Sequence, residues 1–234
     1  MKTLISVVSL EEAKIVAKSE TDILDVKNTE EGSLGAQTPG VLKEIVEEFN
    51  NDKILCSAAL GDLPFKPGTA TLAAYGAANC GVNYIKAGLH GLSTYEEAYK
   101  MMVGIVKAVR MVSDHITVVA CGYADFSRFG GLHYKDLVQA AKDAGADVAM
   151  LDTAIKDGKT LFDALSIEEI QDFVDLSKKG GLLCALAGSI RKEDMPVLAK
   201  IAPDIVGVRG AVCDSSDRTK GIIEERLQEF LSSK

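Results

Sequence analysis

The sequence predicts a closed (β/α)8 barrel that forms a single domain over residues 1–234. Eight short apolar segments alternate with eight segments of helical periodicity. Short apolar strands separated by helices are typical of a parallel sheet that helices cover. Eight such units in 234 residues fit the (β/α)8 fold. An open doubly wound sheet is the alternative, but it would usually have fewer units, and no Rossmann glycine motif follows the first strand.

The predicted strands are runs of apolar and β-branched residues bounded by polar or glycine-containing turns. In chain order they cover residues 4–8, 21–27, 54–60, 84–89, 116–121, 148–152, 183–187 and 205–210. Start and stop residues bound several of the helices: Ser9 and Glu12 form a capping-box pair, Pro39 can open a helix and Gly145 can end one. The predicted helices cover residues 10–18, 39–49, 69–79, 95–112, 134–143, 166–178, 191–201 and 219–232.

Composition narrows the class of protein. The formal net charge of −8 argues against a nucleic-acid surface, and an anionic substrate would need a local positive charge. Five cysteines without C-x-x-C spacing indicate neither a disulfide framework nor a zinc site. The first apolar run is too short to span a membrane and lacks a cleavage site. We therefore expect a cytoplasmic protein with no nucleic-acid or membrane partner.

Charged residues lie at the predicted carboxyl ends of the strands, where active sites of this fold are built. Because strand side chains alternate, Asp25 and Lys27 share one face of the second strand, together with an apolar residue. Lys86 and Asp152 have the corresponding positions on the fourth and sixth strands, and Lys156 follows Asp152 by four residues, in the predicted loop from Thr153 to Phe162. If these faces point inward, two lysines and two aspartates converge inside the barrel. The alternative is a structural ion pair.

Crowded, buried lysines have a chemical use. Burial and a neighbouring cation both disfavour the protonated amine and lower its pKa. A neutral lysine can attack a carbonyl and form a Schiff base, whose iminium makes the adjacent carbon acidic. Asp25 could hold the amine or move its proton, and a second lysine could act as an acid, a base or a phosphate anchor.

Glycine-containing turns follow the last two predicted strands, at the usual phosphate position of this fold. The predicted phosphate-binding residues there are Gly188, Ser189, Gly210 and Ala211, with Arg209 beside them and Gly32 and Ser33 as a second cradle. Simple turn chemistry is the alternative for the glycines, and a salt bridge is the alternative for Arg209. Residues 157–160 lack a complete nucleotide-binding motif, and the three histidines form no metal-spaced pair. We therefore predict no metal and no cofactor.

Several motifs along the chain are jointly specific. They are DVKN at 25–28, EGSLGA at 31–36, GD at 61–62, KPGT at 66–69, KAGL at 86–89, GYAD at 122–125, MLDTA at 150–154, KDGKTLFD at 156–163, AGSI at 187–190 and VRGA at 208–211. With them, the chain resembles the (5-formylfuran-3-yl)methyl phosphate synthase family nearly end to end. Members of this family make the furan precursor of methanofuran.

The resemblance implies a TIM barrel that acts as a carbon–oxygen lyase on phosphates. It would condense two molecules of glyceraldehyde 3-phosphate to 4-(hydroxymethyl)-2-furancarboxaldehyde phosphate, with release of phosphate and water. By matching position, Lys27 would form the Schiff base and Lys86 would accept a proton. Asp25, Asp152 and Lys156 would complete the catalytic site.

Two other functions fit the same residues. Another Schiff-base enzyme, such as a class I aldolase or a triose phosphate isomerase, would release no phosphate and make no product that absorbs in the near ultraviolet. A non-catalytic barrel that binds a phosphorylated ligand would show saturable binding without turnover and would tolerate Lys27→Ala. For each function we expect a small phosphorylated ligand and a homo-oligomer, since barrels of this kind often self-associate.

Overall fold

Eight parallel strands close into a barrel in the described part of the chain, residues 1–51 and 53–233 of a computed structural model. Each strand pairs with the next in sequence, and the last pairs with the first, with Lys2 opposite Ile205. This topology confirms the predicted (β/α)8 fold. The strands are β1 (Lys2–Val7), β2 (Ile23–Val26), β3 (Leu55–Pro64), β4 (Tyr84–Gly91), β5 (Thr117–Tyr123), β6 (Val148–Asp152), β7 (Leu183–Leu186) and β8 (Ile205–Val208).

Helices cover the outside of the barrel, and at least one follows each strand. They are α1 (Leu10–Val16), α2 (Pro39–Phe49), α3 (Pro67–Ala78), α4 (Tyr95–Arg110), α5 (Tyr134–Ala144), α6 (Leu161–Ala164), α7 (Ile167–Lys179), α8 (Met195–Ile201) and α9 (Glu224–Leu231). The short α6 begins inside the predicted loop from Thr153 to Phe162, and Thr160 and Asp163 form a capping box at its start. No helix among the described residues is long and apolar enough to cross a bilayer.

β3, β4 and β5 extend beyond their predicted ends at residues 60, 89 and 121. The extensions contain glycine and proline, which predict turns from sequence. The ladder nevertheless continues through register shifts, with Asp62 opposite Gly88 and Pro64 opposite Gly91. Position 88 requires glycine for a steric reason, because a Cβ there would overlap the hydroxyl of Tyr123. The extensions therefore bring Asp62 and Tyr123 together at the barrel mouth.

The last helix begins at Glu224, five residues later than predicted, and residues 213–222, here called the strap, precede it. Cys213 and Ile222 pair in an antiparallel bridge, and the Asp214 amide donates to the Gly221 carbonyl at 3.0 Å. Ser215 and Ser216 have positive φ angles, which a right-handed helix does not allow. The strap consequently folds back on itself at the mouth before α9 begins.

The barrel interior changes from apolar to charged along the strands. The apolar layers contain Leu4, Ile23, Ala59, Tyr84, Val119, Cys121, Val148, Met150, Ala185 and Ile205. Nearer the carboxyl ends the buried side chains include Ser6, Asp25, Lys86 and Asp152. A second apolar layer joins the outer faces of the strands to the helices. Burial of this outer apolar layer stabilises the barrel. The charged groups lie inside the barrel, near the carboxyl ends of the strands.

Candidate active site

The five predicted catalytic residues lie together inside the carboxyl end of the barrel. Lys27, Lys86, Asp152 and Lys156 line one cavity of about 490 Å³, and Asp25 is bonded to Lys86. This volume is within the range of roughly 300–1,000 Å³ typical of small-molecule sites. The alternation of strand side chains therefore identified the inward-facing charges of β2, β4 and β6 correctly.

Lys86 and Asp25 form a fully buried ion pair. Lys86 Nζ lies 2.6 Å from Asp25 Oδ2, and the same oxygen accepts a hydrogen bond from Ser6 Oγ at 2.8 Å. Burial acts to raise the pKa of Asp25, but the positive charges of Lys86 and Lys27 and the two hydrogen bonds lower it, so that the net pKa lies below its ordinary value. Asp25 is therefore an ionised acceptor, and Lys86 donates a hydrogen bond to it.

Lys27 has a different environment. Its side chain is buried, Nζ donates to the Ser33 carbonyl at 3.2 Å, and it makes no ion pair with any residue in the described ranges. Burial lowers the pKa of Lys27, and Lys86 and Lys156 lower it further, while Asp152 and Asp25 oppose them; the net pKa is about 7. A large fraction of this amine is thus neutral near neutral pH, which is the form that attacks carbonyl carbon.

Asp152 and Lys156 form a second ion pair at the end of β6. Lys156 Nζ lies 2.7 Å from Asp152 Oδ1 and 3.0 Å from Thr153 Oγ1. Burial acts to raise the pKa of Asp152, but Lys156, Lys27 and the Thr153 amide outweigh it and lower the pKa to about 2. The carboxylate therefore stays charged and favours a positive charge on Lys27, while Lys156 reaches the cavity from the rim.

The glycine-containing turns after β7 and β8 line the same cavity as the lysines. Gly188 and Ser189 have φ angles of +111° and +52°, and a Cβ at Gly188 would lie 3.0 Å from the Thr153 side chain. Gly210 and Ala211 form part of a single 3-10 turn at the end of β8. The structure therefore brings all four residues to the place predicted for phosphate, and phosphate binding by them stays a prediction.

The predicted cradle at Gly32 and Ser33 is already filled by a carboxylate of the chain. The Ser33 amide donates to Asp62 Oδ2 at 2.7 Å, and the Leu34 amide donates to Asp62 Oδ1 at 3.3 Å. Ser33 Oγ donates to the Thr153 carbonyl at 2.9 Å. The loop does bind an anion through backbone amides, but the anion is Asp62, so we no longer expect Gly32 and Ser33 to bind phosphate.

Arg209 also has no donor left for a phosphate. Nη1 donates to Glu12 at 2.7 Å and to the Ser6 carbonyl at 2.9 Å, and Nη2 donates to Glu12 at 3.1 Å and to the Lys220 carbonyl at 3.3 Å. Nε donates to the Arg218 carbonyl at 2.6 Å. A guanidinium has five N–H donors, and all five are used. The salt-bridge alternative therefore describes Arg209, whose side chain holds the strap against β1.

Sequence reasoning missed Arg218. The residues around it are serines and aspartates, a composition typical of a solvent-exposed turn, and no motif marks it. In the structure Arg218 lies on the strap, lines the cavity with Lys27 and Lys156, and donates from Nη2 to the Gly32 carbonyl at 2.7 Å. Only the backward fold of the strap brings this side chain to the mouth.

Comparison with known proteins agrees with these motifs. The family model described as 4-HFC-P synthase matches residues 3–231. The chain belongs to this family. It is 51% identical over 231 residues to the (5-formylfuran-3-yl)methyl phosphate synthase of Methanocaldococcus jannaschii, covering 99% of this chain and 98% of that protein. The synthase of Methanothermobacter thermautotrophicus is 47% identical over 237 residues, with both chains fully covered. The predicted family resemblance is thereby confirmed.

Solved structures support the fold. A 3-hexulose-6-phosphate synthase superposes with a TM-score of 0.68 at 16% identity, covering 100% of this chain and 99% of that chain. KGPDC from Streptococcus mutans superposes with a TM-score of 0.63 at 12% identity, covering 99% of this chain and 96% of that chain. At these identities the similarity shows only that the folds are alike.

Proposed function

We propose that the chain condenses two molecules of glyceraldehyde 3-phosphate to (5-formylfuran-3-yl)methyl phosphate in methanofuran biosynthesis. The overall balance requires the release of one phosphate and two molecules of water for each furan formed. Family membership supports the product. The observation that carries the mechanism is the buried amine of Lys27, which has a pKa of about 7 and lies in a cavity with Lys86, Asp152 and Lys156.

The first step is imine formation. The neutral amine of Lys27 adds to the aldehyde carbon of one triose phosphate and gives a carbinolamine. Lys86 donates its proton to the departing hydroxyl, so that water leaves and an iminium remains at Lys27. Asp25, ionised and 2.6 Å from Lys86, holds that amine in place during the transfer.

Carbon–carbon bond formation follows from the same two lysines. The second triose loses the proton on C2 and the phosphate on C3, which gives 2-hydroxypropenal and free phosphate. Having given up its proton, Lys86 takes the proton from the carbon next to the iminium, and the resulting enamine attacks C3 of that propenal. Lys156 can donate a proton to the enolate that forms, with Asp152 charged beside it. Hydrolysis of the remaining iminium frees Lys27, and loss of two molecules of water closes the ring and makes it aromatic.

The most direct test is incubation with glyceraldehyde 3-phosphate, with assays for free phosphate and for a furan chromophore. Borohydride reduction during turnover should add the mass of a reduced triose adduct at Lys27. Lys27→Ala should lose both the adduct and the chromophore. Lys66→Ala is a matched control, because this exposed lysine lies outside the cavity. An active preparation in which Lys27 stays unmodified after reduction would contradict the mechanism.

The same experiment separates the other two functions. A Schiff-base aldolase or isomerase would give the adduct at Lys27 without phosphate release and without the chromophore. A binding barrel would show saturable binding of the triose phosphate and neither an adduct nor turnover.

A further inference from the structure

Arg218 is a half-buried cation of the cavity that leaves most of its hydrogen-bond donors unused. Its guanidinium lines the cavity wall at half-buried depth, and Nη2 donates to the Gly32 carbonyl at 2.7 Å. Within the described residues this is the one hydrogen bond that its side chain makes, and it forms no ion pair. Most of its five donors are therefore uncommitted. Partial burial lowers the pKa of Arg218, and the more distant Asp152 and Asp62 only oppose that effect.

Of the other arginines that line the cavity, Arg191 is exposed, and in the described part of the chain its side chain donates only to the Gly158 carbonyl at 3.3 Å, whereas Arg209 and Arg226 use more of their donors. All donors of Arg209 are used on Glu12 and on carbonyls. Arg226 donates to the Ala211 carbonyl and to Ser216 Oγ. A desolvated charge without a counter-ion is unfavourable, so a cavity that holds such a guanidinium favours an anionic ligand. A guanidinium binds a phosphate with two parallel hydrogen bonds, which makes a phosphate monoester the best-matched anion.

The position of Arg218 identifies which phosphate it would meet. The strap crosses from the end of β8 toward the loop after β2, where Gly32 accepts from Arg218. The next carbonyl in that loop, from Ser33, accepts from Lys27 Nζ. The guanidinium and the amine are thus bonded to adjacent residues of one loop and line the same cavity. A triose phosphate joined to Lys27 at its aldehyde carbon would direct its phosphate to a group close to that amine.

We propose that Arg218 binds the phosphate of the triose that forms the imine with Lys27. The proposal rests on the proposed function, in which two phosphorylated trioses enter one cavity. It leaves the glycine-containing turns after β7 and β8 for the phosphate of the second triose. Arg218 is thus a substrate-binding residue supplied by the strap, and the strap reaches over the mouth to deliver it.

Arg218→Gln is the sharpest variant, because a glutamine amide can still donate to the Gly32 carbonyl but carries no charge. The probe is the yield of borohydride-trapped adduct at Lys27 as the concentration of glyceraldehyde 3-phosphate is varied. Arg218→Gln should raise the half-saturating concentration about tenfold or more, the usual effect of losing a charge-assisted hydrogen bond. Arg218→Lys should restore part of this loss. Unphosphorylated glyceraldehyde should be trapped equally by the wild type and Arg218→Gln.

Lys220→Met is the matched control, because Lys220 is an exposed cation of the same strap that pairs with Asp214 at 3.6 Å. It should leave both trapping curves unchanged. Equal loss of trapping with glyceraldehyde and with its phosphate would show that Arg218 acts on Lys27, not on phosphate, and would overturn the proposal. An unchanged curve for Arg218→Gln would overturn it as well.

Thermal unfolding in inorganic phosphate gives a readout that does not depend on turnover. Phosphate should raise the Tm of the wild type and of Lys220→Met, and it should raise the Tm of Arg218→Gln much less. If no furan forms but this difference appears, the proposed function fails while the phosphate site stands. If furan forms, but Arg218→Gln changes neither the Tm shift in phosphate nor the trapping curve, the phosphate site is wrong and the proposed function stands.

Discussion

Lys86 and Asp25 form an ion pair within the barrel interior, with Lys86 Nζ 2.6 Å from Asp25 Oδ2 and both side chains shielded from solvent. The second oxygen of Asp25 and the hydroxyl of Ser57, opposite it on β3, have no hydrogen-bond partner among the described residues. A buried ion pair with an unsatisfied oxygen contributes little to stability, since apolar side chains of similar volume often stabilise a fold equally well. Its position next to Lys27 supports a role in moving protons.

Removing Lys86 alone should therefore lower the free energy of unfolding more than removing both charges of the pair does. Lys86→Met should lower the free energy of unfolding by about 3–5 kcal/mol, because Asp25 would stay buried without its cation. The double variant Asp25→Asn with Lys86→Met should recover much of that loss. Urea unfolding of the wild type, both single variants and the double variant measures the coupling. Strictly additive effects would show that the two side chains do not form a pair in solution.

Lys27 should destabilise the fold in a pH-dependent way. Its pKa is 10.5 when unfolded and about 7 when folded, so the unfolded chain binds more protons between these values. The stability of the wild type relative to Lys27→Met should therefore rise with pH across this window. Below about pH 7 the variant should be more stable by a few kcal/mol, at about 1.4 kcal/mol per unit of lowered pKa. The difference should shrink toward zero above about pH 10.

Urea unfolding of both proteins at several pH values measures this difference directly. The subtraction cancels the other titrating groups, which the two proteins share. A difference that does not change between pH 7 and 10 would show that Lys27 keeps its ordinary pKa in the fold. The active preparation would then need another way to provide a neutral amine.

The strand pattern predicted the fold and much of the site because it depends on local rules. Period-two alternation is a property of any strand, so it placed Asp25, Lys27, Lys86 and Asp152 inside the barrel without knowledge of neighbours. The resemblance added the family, which the comparison confirmed. A cytoplasmic location and self-association stay predictions.

The wrong phosphate-site predictions and the missed Arg218 have a common physical cause. The sequence near a charged residue does not show which distant residue it will contact in the fold. Asp62 fills the Gly32–Ser33 cradle from a distant strand extension, and Glu12 pairs with Arg209 across nearly the whole chain. Arg218 lies in a polar turn whose composition predicts solvent exposure, and the positive φ angles of the strap bring it to the cavity. Such pairings depend on closure of the barrel, which joins β8 to β1.

Asp152 should set the pH at which Lys27 reacts. Its negative charge favours the protonated form of Lys27 and so raises the pKa of that amine. Asp152→Asn should move the midpoint of the trapping rate with unphosphorylated glyceraldehyde to lower pH, because it removes this charge and leaves Lys156 without its partner. The rate should still rise with pH to a plateau, as expected for a neutral nucleophile. A midpoint that moves to higher pH would contradict the electrostatic assignment.

Gly32→Ala should lower both the stability of the fold and the reactivity of Lys27. Gly32 has φ +128° and ψ −164°, a region open almost only to glycine, and a Cβ there would overlap Asp62 Oδ2. Displacing Asp62 would break its bonds to the Ser33 amide and to the Tyr123 hydroxyl, and Ser33 in turn accepts from Lys27. We expect a loss of about 2–4 kcal/mol of unfolding free energy and weaker borohydride trapping at Lys27.

Gly158→Ala separates backbone strain from the clash, because Gly158 has φ +90° but no atom lies within 4 Å of the position that a methyl group would take there. It should lose only about 1 kcal/mol, the usual effect of a left-handed conformation on alanine. The double variant Gly32→Ala with Asp62→Ala should recover part of the stability of Gly32→Ala, since it removes the clashing carboxylate, but not the trapping yield. If Gly32→Ala and Gly158→Ala behave alike, Asp62 does not fill the cradle, and Gly32 and Ser33 become free to bind phosphate after all.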